Sequence, residues 1–283
     1  MKQPMLIDVP TLRAWLSEGR VSVFDCRFDL ASAARGRECW LEGHIPGAHH
    51  ADLDQDLAGP VTAGSGRHPL PTPAAFADFL ARSGWTVGQP VVAYDAQGGA
   101  FAARLWWLMR YFGHDCVTLL DGGWGAWLEA GEPVQSGSSA PVPAAVPVLK
   151  PQPQMVIDVA ALQAGLERGE LALLDARDAD RFQGKSEPID AVAGHVPGAC
   201  NRPFSSNLAE GQRWRAAEEI KADFEPLLAR NGAAATVHMC GSGVTACHNL
   251  FAMEYAQLPG SRLYVGSWSE WIRNSQRPVA TGR

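Results

Sequence analysis

Near the end of the chain stands Cys240-Gly241-Ser242-Gly243-Val244-Thr245-Ala246, in which a cysteine is followed within five positions by two glycines and two hydroxyl residues. The run Ala235-Thr236-Val237-His238-Met239 precedes it and a helical pattern from Cys247 to Tyr255 follows it, so the stretch reads as strand, tight loop, helix. That geometry sets Cys240 at the carboxyl end of a strand, where loop N–H groups and a helix N-terminus favour an anion. The anion such a nest suits is the thiolate, the nucleophilic form of a cysteine. A strand-end thiol is also compatible with a buried structural cysteine. The glycines weigh towards the nest, because ordinary strand-to-helix turns seldom need so close a backbone approach. Phosphate-ester chemistry on this layout needs an arginine six positions after the cysteine, and that position is Ala246.

These seven residues resemble the active-site loop of the two-domain rhodanese-like sulfurtransferases, most closely that of the 3-mercaptopyruvate sulfurtransferases. The resemblance implies an α/β fold of two tandem rhodanese-like domains, each a parallel sheet with helices on both faces. It also implies a reaction in which Cys240 takes sulfur from a small anionic donor, holds it as a persulfide, and passes it to a thiol or cyanide. Gly241, Gly243, Val244 and Thr245 would supply the backbone that stabilises the anion. Arg181, in Asp180-Arg181-Phe182-Gln183-Gly184, matches the family arginine that holds the donor's charged group, a task suited to a planar guanidinium. Arg177, beside Asp175 at a strand end, reads instead as a brace of the fold, since its counterpart Arg27 lies in the half without the cysteine. By the same resemblance Asp54, His68 and Ser242 would form a relay beside Cys240, the carboxylate orienting the imidazole and the imidazole polarising the hydroxyl. No cofactor or metal is implied.

The donor is the point on which the residues divide. A small loop with a hydroxyl, Gly241 and Ser242, suits a carbonyl-bearing monoanion such as 3-mercaptopyruvate, whereas thiosulfate-preferring members place basic side chains there. Many 3-mercaptopyruvate enzymes carry a second arginine after a Glu-Pro pair, and here Glu187-Pro188 is followed by Ile189. The expectation is therefore 3-mercaptopyruvate as donor with one cation missing. Thiosulfate:cyanide transfer is the alternative, and a non-catalytic interaction module is the reading from another class.

The elements that must position these residues are written twice. Val23-Phe24-Asp25-Cys26-Arg27 is answered by Leu173-Leu174-Asp175-Ala176-Arg177, and Gly43-His44-Ile45-Pro46-Gly47-Ala48 by Gly194-His195-Val196-Pro197-Gly198-Ala199. Two markers in the same order at nearly the same interval indicate a duplicated unit. Later, Asp121-Gly122-Gly123-Trp124 is answered by Val265-Gly266-Ser267-Trp268, and Asp95 falls where the second half has Cys240. Only the second half can carry thiol chemistry. Short apolar runs alternate with helical patterns at Pro10–Glu18, Thr72–Ser83, Ala102–Phe112, Val159–Arg168 and Ala216–Arg230, which argues for parallel sheets with ligands beyond the carboxyl ends of the strands. Residues 133–154, rich in Pro, Ala, Ser and Gly, read as a linker between domains at 1–132 and 155–283. Gly47 stands farther from Asp95 than Gly198 does from Cys240, so the first half carries extra loop around His68, which a reach across the interface would use.

Composition sets the outer bounds. The chain has 283 residues and a net charge of -6, with no long basic run, which argues against nucleic acid and anionic membrane as partners. Six scattered cysteines without a Cys-x-x-Cys pair suggest neither a zinc site nor a disulfide framework, and with no signal-like start the expected compartment is the cytoplasm.

Overall fold

The computed structural model describes residues 4–138 and 141–282 and resolves into two compact units. The first holds the chain up to Gly59, Pro71–Gln152 and Ala209–Trp214; the second holds Pro60–Leu70, Pro153–Leu208 and the chain from Arg215 onward. The segment Pro60–Leu70, which carries His68, thus packs with the second unit, and residues 133–138 and 141–152 pack with the first.

The first unit contains β1 (Leu6–Ile7), α1 (Val9–Ser17), β2 (Ser22–Asp25), α2 (Arg35–Glu42), β3 (His49–His50), α3 (Pro73–Arg82), β4 (Val91–Tyr94), α4 (Ala102–Tyr111), β5 (Val117–Leu120) and α5 (Gly123–Glu129). Among the described residues the strands form one parallel sheet in the order β1-β5-β4-β2-β3. The central strands β2, β4 and β5 are buried at every position, as strands covered on both faces must be. Successive residues of β2 show the two coverings: Val23 joins a core with Leu12 and Trp15 of α1 and Trp127 of α5, while Phe24 packs on Phe79 of α3 at 5.5 Å between ring centres.

The second unit repeats the plan with α6 (Val159–Glu167), β6 (Ala172–Asp175), α7 (Ala179–Phe182), β7 (Cys200–Asn201), α8 (Ala217–Leu228), β8 (Thr236–Met239), α9 (Ala246–Tyr255), β9 (Arg262–Leu263) and α10 (Ser267–Trp271). Its parallel sheet runs β7-β6-β8-β9. Leu173 and Val237 pack with Leu162 of α6 and with Trp268 and Trp271 of α10, whereas His238, the next residue on β8, faces Phe224 of α8. The outermost strands of both sheets, β1, β3, β7 and β9, are only two residues long, which leaves little open edge for foreign pairing.

The apolar periodicities locate α1, α3, α4, α6, α8 and α9 to within two residues at each end. Asp8 and Asp158 cap α1 and α6 by accepting from Thr11 N–H at 2.9 Å and Ala161 N–H at 2.8 Å. The sequence gives no such signal for α2, whose face is mostly charged and which buries only Gly36 and Trp40. Among the described residues no helix is long and apolar enough to cross a membrane.

Candidate active site

Cys240 leaves the end of β8, a strand flanked on both sides, and its side chain is 2 % exposed. Its Sγ accepts the N–H of Gly243 at 3.1 Å. Gly243 has φ +77°, and a β-carbon there would lie 2.5 Å from the carbonyl oxygen of Val265, so only glycine lets the loop turn back onto the sulfur. The N–H groups of Gly241, Ser242, Val244 and Thr245 donate to no group among the described residues. Gly241, Ser242 and Val244 are buried, and orphaned N–H groups in buried backbone are rare. A loop that keeps several of them beside a thiol is shaped for a larger anion than the thiolate alone.

Two guanidinium groups close on the loop. A β-carbon on Gly241 would lie 2.9 Å from Arg67 Nη2 and 3.5 and 3.7 Å from Arg181 Nη2 and Nη1, so the missing side chain is the space in which both cations meet the loop. Arg181 comes from α7, and carboxylates hold it in place. Its Nε donates to Glu187 at 3.1 and 3.2 Å, and its Nη2 donates to Glu187 at 2.8 Å and to Asp190 at 3.1 Å. Arg67 pairs with the other oxygen of Asp190. Burial raises Glu187, but Arg181 and the N–H groups of Asp190 and Ile189 outweigh it and leave the carboxyl below its ordinary range. Asp190 goes the other way: burial, with Glu187 alongside, raises its pKa in spite of Arg67, Arg181 and Arg177.

His68 and Ser242, far apart in sequence, come together with Nδ1 and Oγ 2.7 Å apart and both side chains buried. Asp54 belongs to the first unit, where its N–H donates to Asp52 Oδ1 at 2.9 Å and burial, then the neighbouring Asp52, raises its pKa. Arg177 is the brace its duplicate suggested. It makes a buried pair with Asp175, donates to Gly194 O at 2.7 Å and lies over the Trp268 ring, as Arg27 does with Asp25, Gly43 O and Trp124. Trp268 and Trp271 are core residues, with indole N–H groups donating to Val192 O and Pro278 O. Cys247 Sγ lies 3.4 Å from Gly243 O, on the inner side of α9, and its side chain is buried. His195 stacks on Phe182 and His248 meets Asn207, so both serve packing.

Arg67 is a candidate site residue that the sequence did not single out. The expectation of a missing cation followed from Ile189, which is 43 % exposed and only passes its backbone N–H to Glu187. The second guanidinium comes instead from the residue before His68. That adjacency was the available signal, since a loop that delivers an imidazole to the site delivers its neighbour as well.

A strand-end cysteine in an N–H-lined loop, two guanidinium groups and a buried His–Ser pair make a candidate nucleophilic-cysteine site for a small anion. The rhodanese-like domain family matches residues 8–130 and 158–274, one match in each repeat. A probable 3-mercaptopyruvate sulfurtransferase of Pseudomonas aeruginosa is 48 % identical over the full length of both chains. The thiosulfate sulfurtransferase of Bos taurus is 33 % identical over 92 % of this chain and 91 % of its own. Among solved structures, the 3-mercaptopyruvate sulfurtransferase of Leishmania major superposes with a TM-score of 0.83 at 33 % identity, covering 95 % of this chain and 74 % of its own. The chain belongs to the rhodanese-like family, as a two-domain sulfurtransferase.

Proposed function

We propose that the chain moves a sulfane sulfur from 3-mercaptopyruvate to a thiol or cyanide through a persulfide on Cys240. The observation that carries this reading is the convergence on Gly241 of the Arg67 and Arg181 guanidinium groups, beside N–H groups that have no partner among the described residues. Two fixed cations orient the donor's carboxylate and α-carbonyl, and the loop receives the sulfur.

The Cys240 thiolate attacks the donor's sulfur, an S–S bond forms, and the C–S bond breaks with its electron pair passing to carbon as the enolate of pyruvate. The proton of the transferred S–H moves to that carbon, and Ser242 with His68 is the pair within reach of the loop to relay it. The persulfide anion, one S–S bond of about 2.05 Å beyond Sγ, meets the loop N–H groups that the thiolate leaves unused. A thiolate or cyanide then attacks the outer sulfur and Cys240 leaves as thiolate, so no external oxidant or reductant enters. The small Gly241–Ser242 pair favours 3-mercaptopyruvate over thiosulfate, and a cytoplasmic location fits a thiol kept reduced.

Mass spectrometry of the Cys240 peptide after donor treatment tests the reading: the mass of one added sulfur should appear and vanish on adding cyanide. Absence of the adduct with both donors would leave the interaction-module reading standing. A higher kcat/KM for thiosulfate would refute the donor assignment alone.

A further inference from the structure

The loop bearing Cys240 is held from outside by the turn into α10. Trp268 N–H donates to Cys240 O at 3.0 Å, and Ser267 Oγ accepts from Cys240 N–H at 3.1 Å while donating to Tyr264 O at 2.9 Å. Ser269 N–H donates to Gly241 O at 2.9 Å. The Ser269 side chain, 6 % exposed, reaches the other way: Oγ accepts the N–H of Arg67 at 3.1 Å and donates to Gly266 O at 3.2 Å. Gly66 permits this approach, since a β-carbon there would lie 2.4 Å from Gly266 O and 3.0 Å from Ser269 Oγ.

Ser269 is therefore bonded to both loops at once, by its backbone to the residue after the nucleophile and by its hydroxyl to the residue before His68. The two further meetings of these loops, the Arg67 guanidinium against Gly241 and His68 against Ser242, are the ones that act on the donor in the proposed reaction. Both depend on the register of residues 66–68 against 240–242. We propose that Ser269 is a positioning residue that fixes this register, so that donor cleavage depends on its hydroxyl although it touches no reacting atom. The role rests on the proposed function of Arg67 and His68. Misplacement of a catalytic group by under an ångström is enough to slow a reaction that needs a near-attack geometry. The hydroxyl contributes nothing to the apolar core beneath, which Trp268 and Trp271 form, so its loss should leave the fold in place.

The test compares the full-length wild type with Ser269→Ala and Ser269→Thr. It separates single-turnover persulfide formation from 3-mercaptopyruvate from discharge of preformed persulfide by cyanide. Ser269→Ala should slow persulfide formation by about 5- to 20-fold, the scale of one lost hydrogen bond expressed in the transition state. Discharge should stay within about twofold, because cyanide needs neither arginine nor imidazole positioned. Ser269→Thr, which keeps the hydroxyl, should recover most of the rate. In a His68→Ala background the added loss from Ser269→Ala should shrink, because two residues acting through one geometry are not additive. Equal loss in both half-reactions, an unchanged donor step, or full additivity with His68→Ala would each overturn the role. A wild type that forms no persulfide on Cys240 refutes the underlying reaction, whereas normal persulfide formation with an indifferent Ser269→Ala refutes only the positioning.

Discussion

Removing the Arg181 guanidinium by Arg181→Ala perturbs two things, and the structure sizes each. On the donor side, one of the two cations at Gly241 disappears. A charge-assisted hydrogen bond is worth roughly 1.5–3 kcal/mol when desolvated, so kcat/KM for 3-mercaptopyruvate should fall by about 10- to 150-fold. On the fold side, Arg181 supports Glu187 and Asp190, both nearly buried. Neither is orphaned: Glu187 keeps Arg177 at 3.3 Å and two backbone N–H groups at 3.1 Å, and Asp190 keeps Arg67. The stability loss should therefore stay below the ~3–5 kcal/mol seen when a buried charge loses its only partner. The assay is kcat/KM with each donor, cyanide discharge of preformed persulfide, and a thermal melt of the same samples. A fall in donor use of less than about threefold would refute the donor-binding role of Arg181, and a fall in discharge as large as that in donor use would make Arg181 a support of the loop.

Cys240→Ser should abolish turnover with an unchanged melt, while Asp95→Asn, at the matching place in the first half, should leave kcat within about threefold and act on stability instead. Gly243→Ala should cost kcat more than KM, since its β-carbon meets the Val265 carbonyl at φ +77°, whereas Gly241→Ala, whose β-carbon meets the two guanidinium groups, should raise donor KM. Stability should fall on acidification from about pH 6.5 towards 3, as measured by melts across that range. His238 is fully buried and burial, with Arg202 nearby, lowers its pKa to about 3, so the unfolded chain binds a proton there that the native state refuses. His238→Gln should flatten that slope, and an unchanged slope would place the acid sensitivity elsewhere.

What the sequence made legible was whatever repeats or alternates. The doubled Asp-x-Arg and Gly-His-x-Pro-Gly markers give two copies of one sheet, and short β-branched or apolar-leaning runs give the central strands β2, β4 and β8. Cys240 was readable because strand, small loop and helix are contiguous. Arg67 was not, because its place against Gly241 is set by the path of Pro60–Leu70, a segment of the first repeat that packs with the second unit. No local pattern encodes that path. Glu187 stood in the sequence as the flag of an arginine that is absent, and the structure makes it the carboxylate that fixes the orientation of Arg181.

The duplicated loop explains why one half can lose its cysteine without losing its shape. Asp95, 1 % exposed, turns its carboxylate into its own loop and accepts the N–H groups of Gln97, Gly99, Phe101 and Ala102 at 2.8–2.9 Å. Burial raises its pKa although those four donors oppose the rise, and the carboxyl group fills the nest from within. The second half has the same strand-end loop with a thiol in place of the carboxylate, and there one N–H, that of Gly243, reaches the side chain. A carboxylate satisfies the first loop permanently and leaves nothing to bind. A thiol satisfies the second only in part, and the donors left over match an anion one sulfur longer. In the proposed reaction the second half is thus the one whose loop folds incompletely satisfied, and the persulfide would be the state in which its backbone finds its partners.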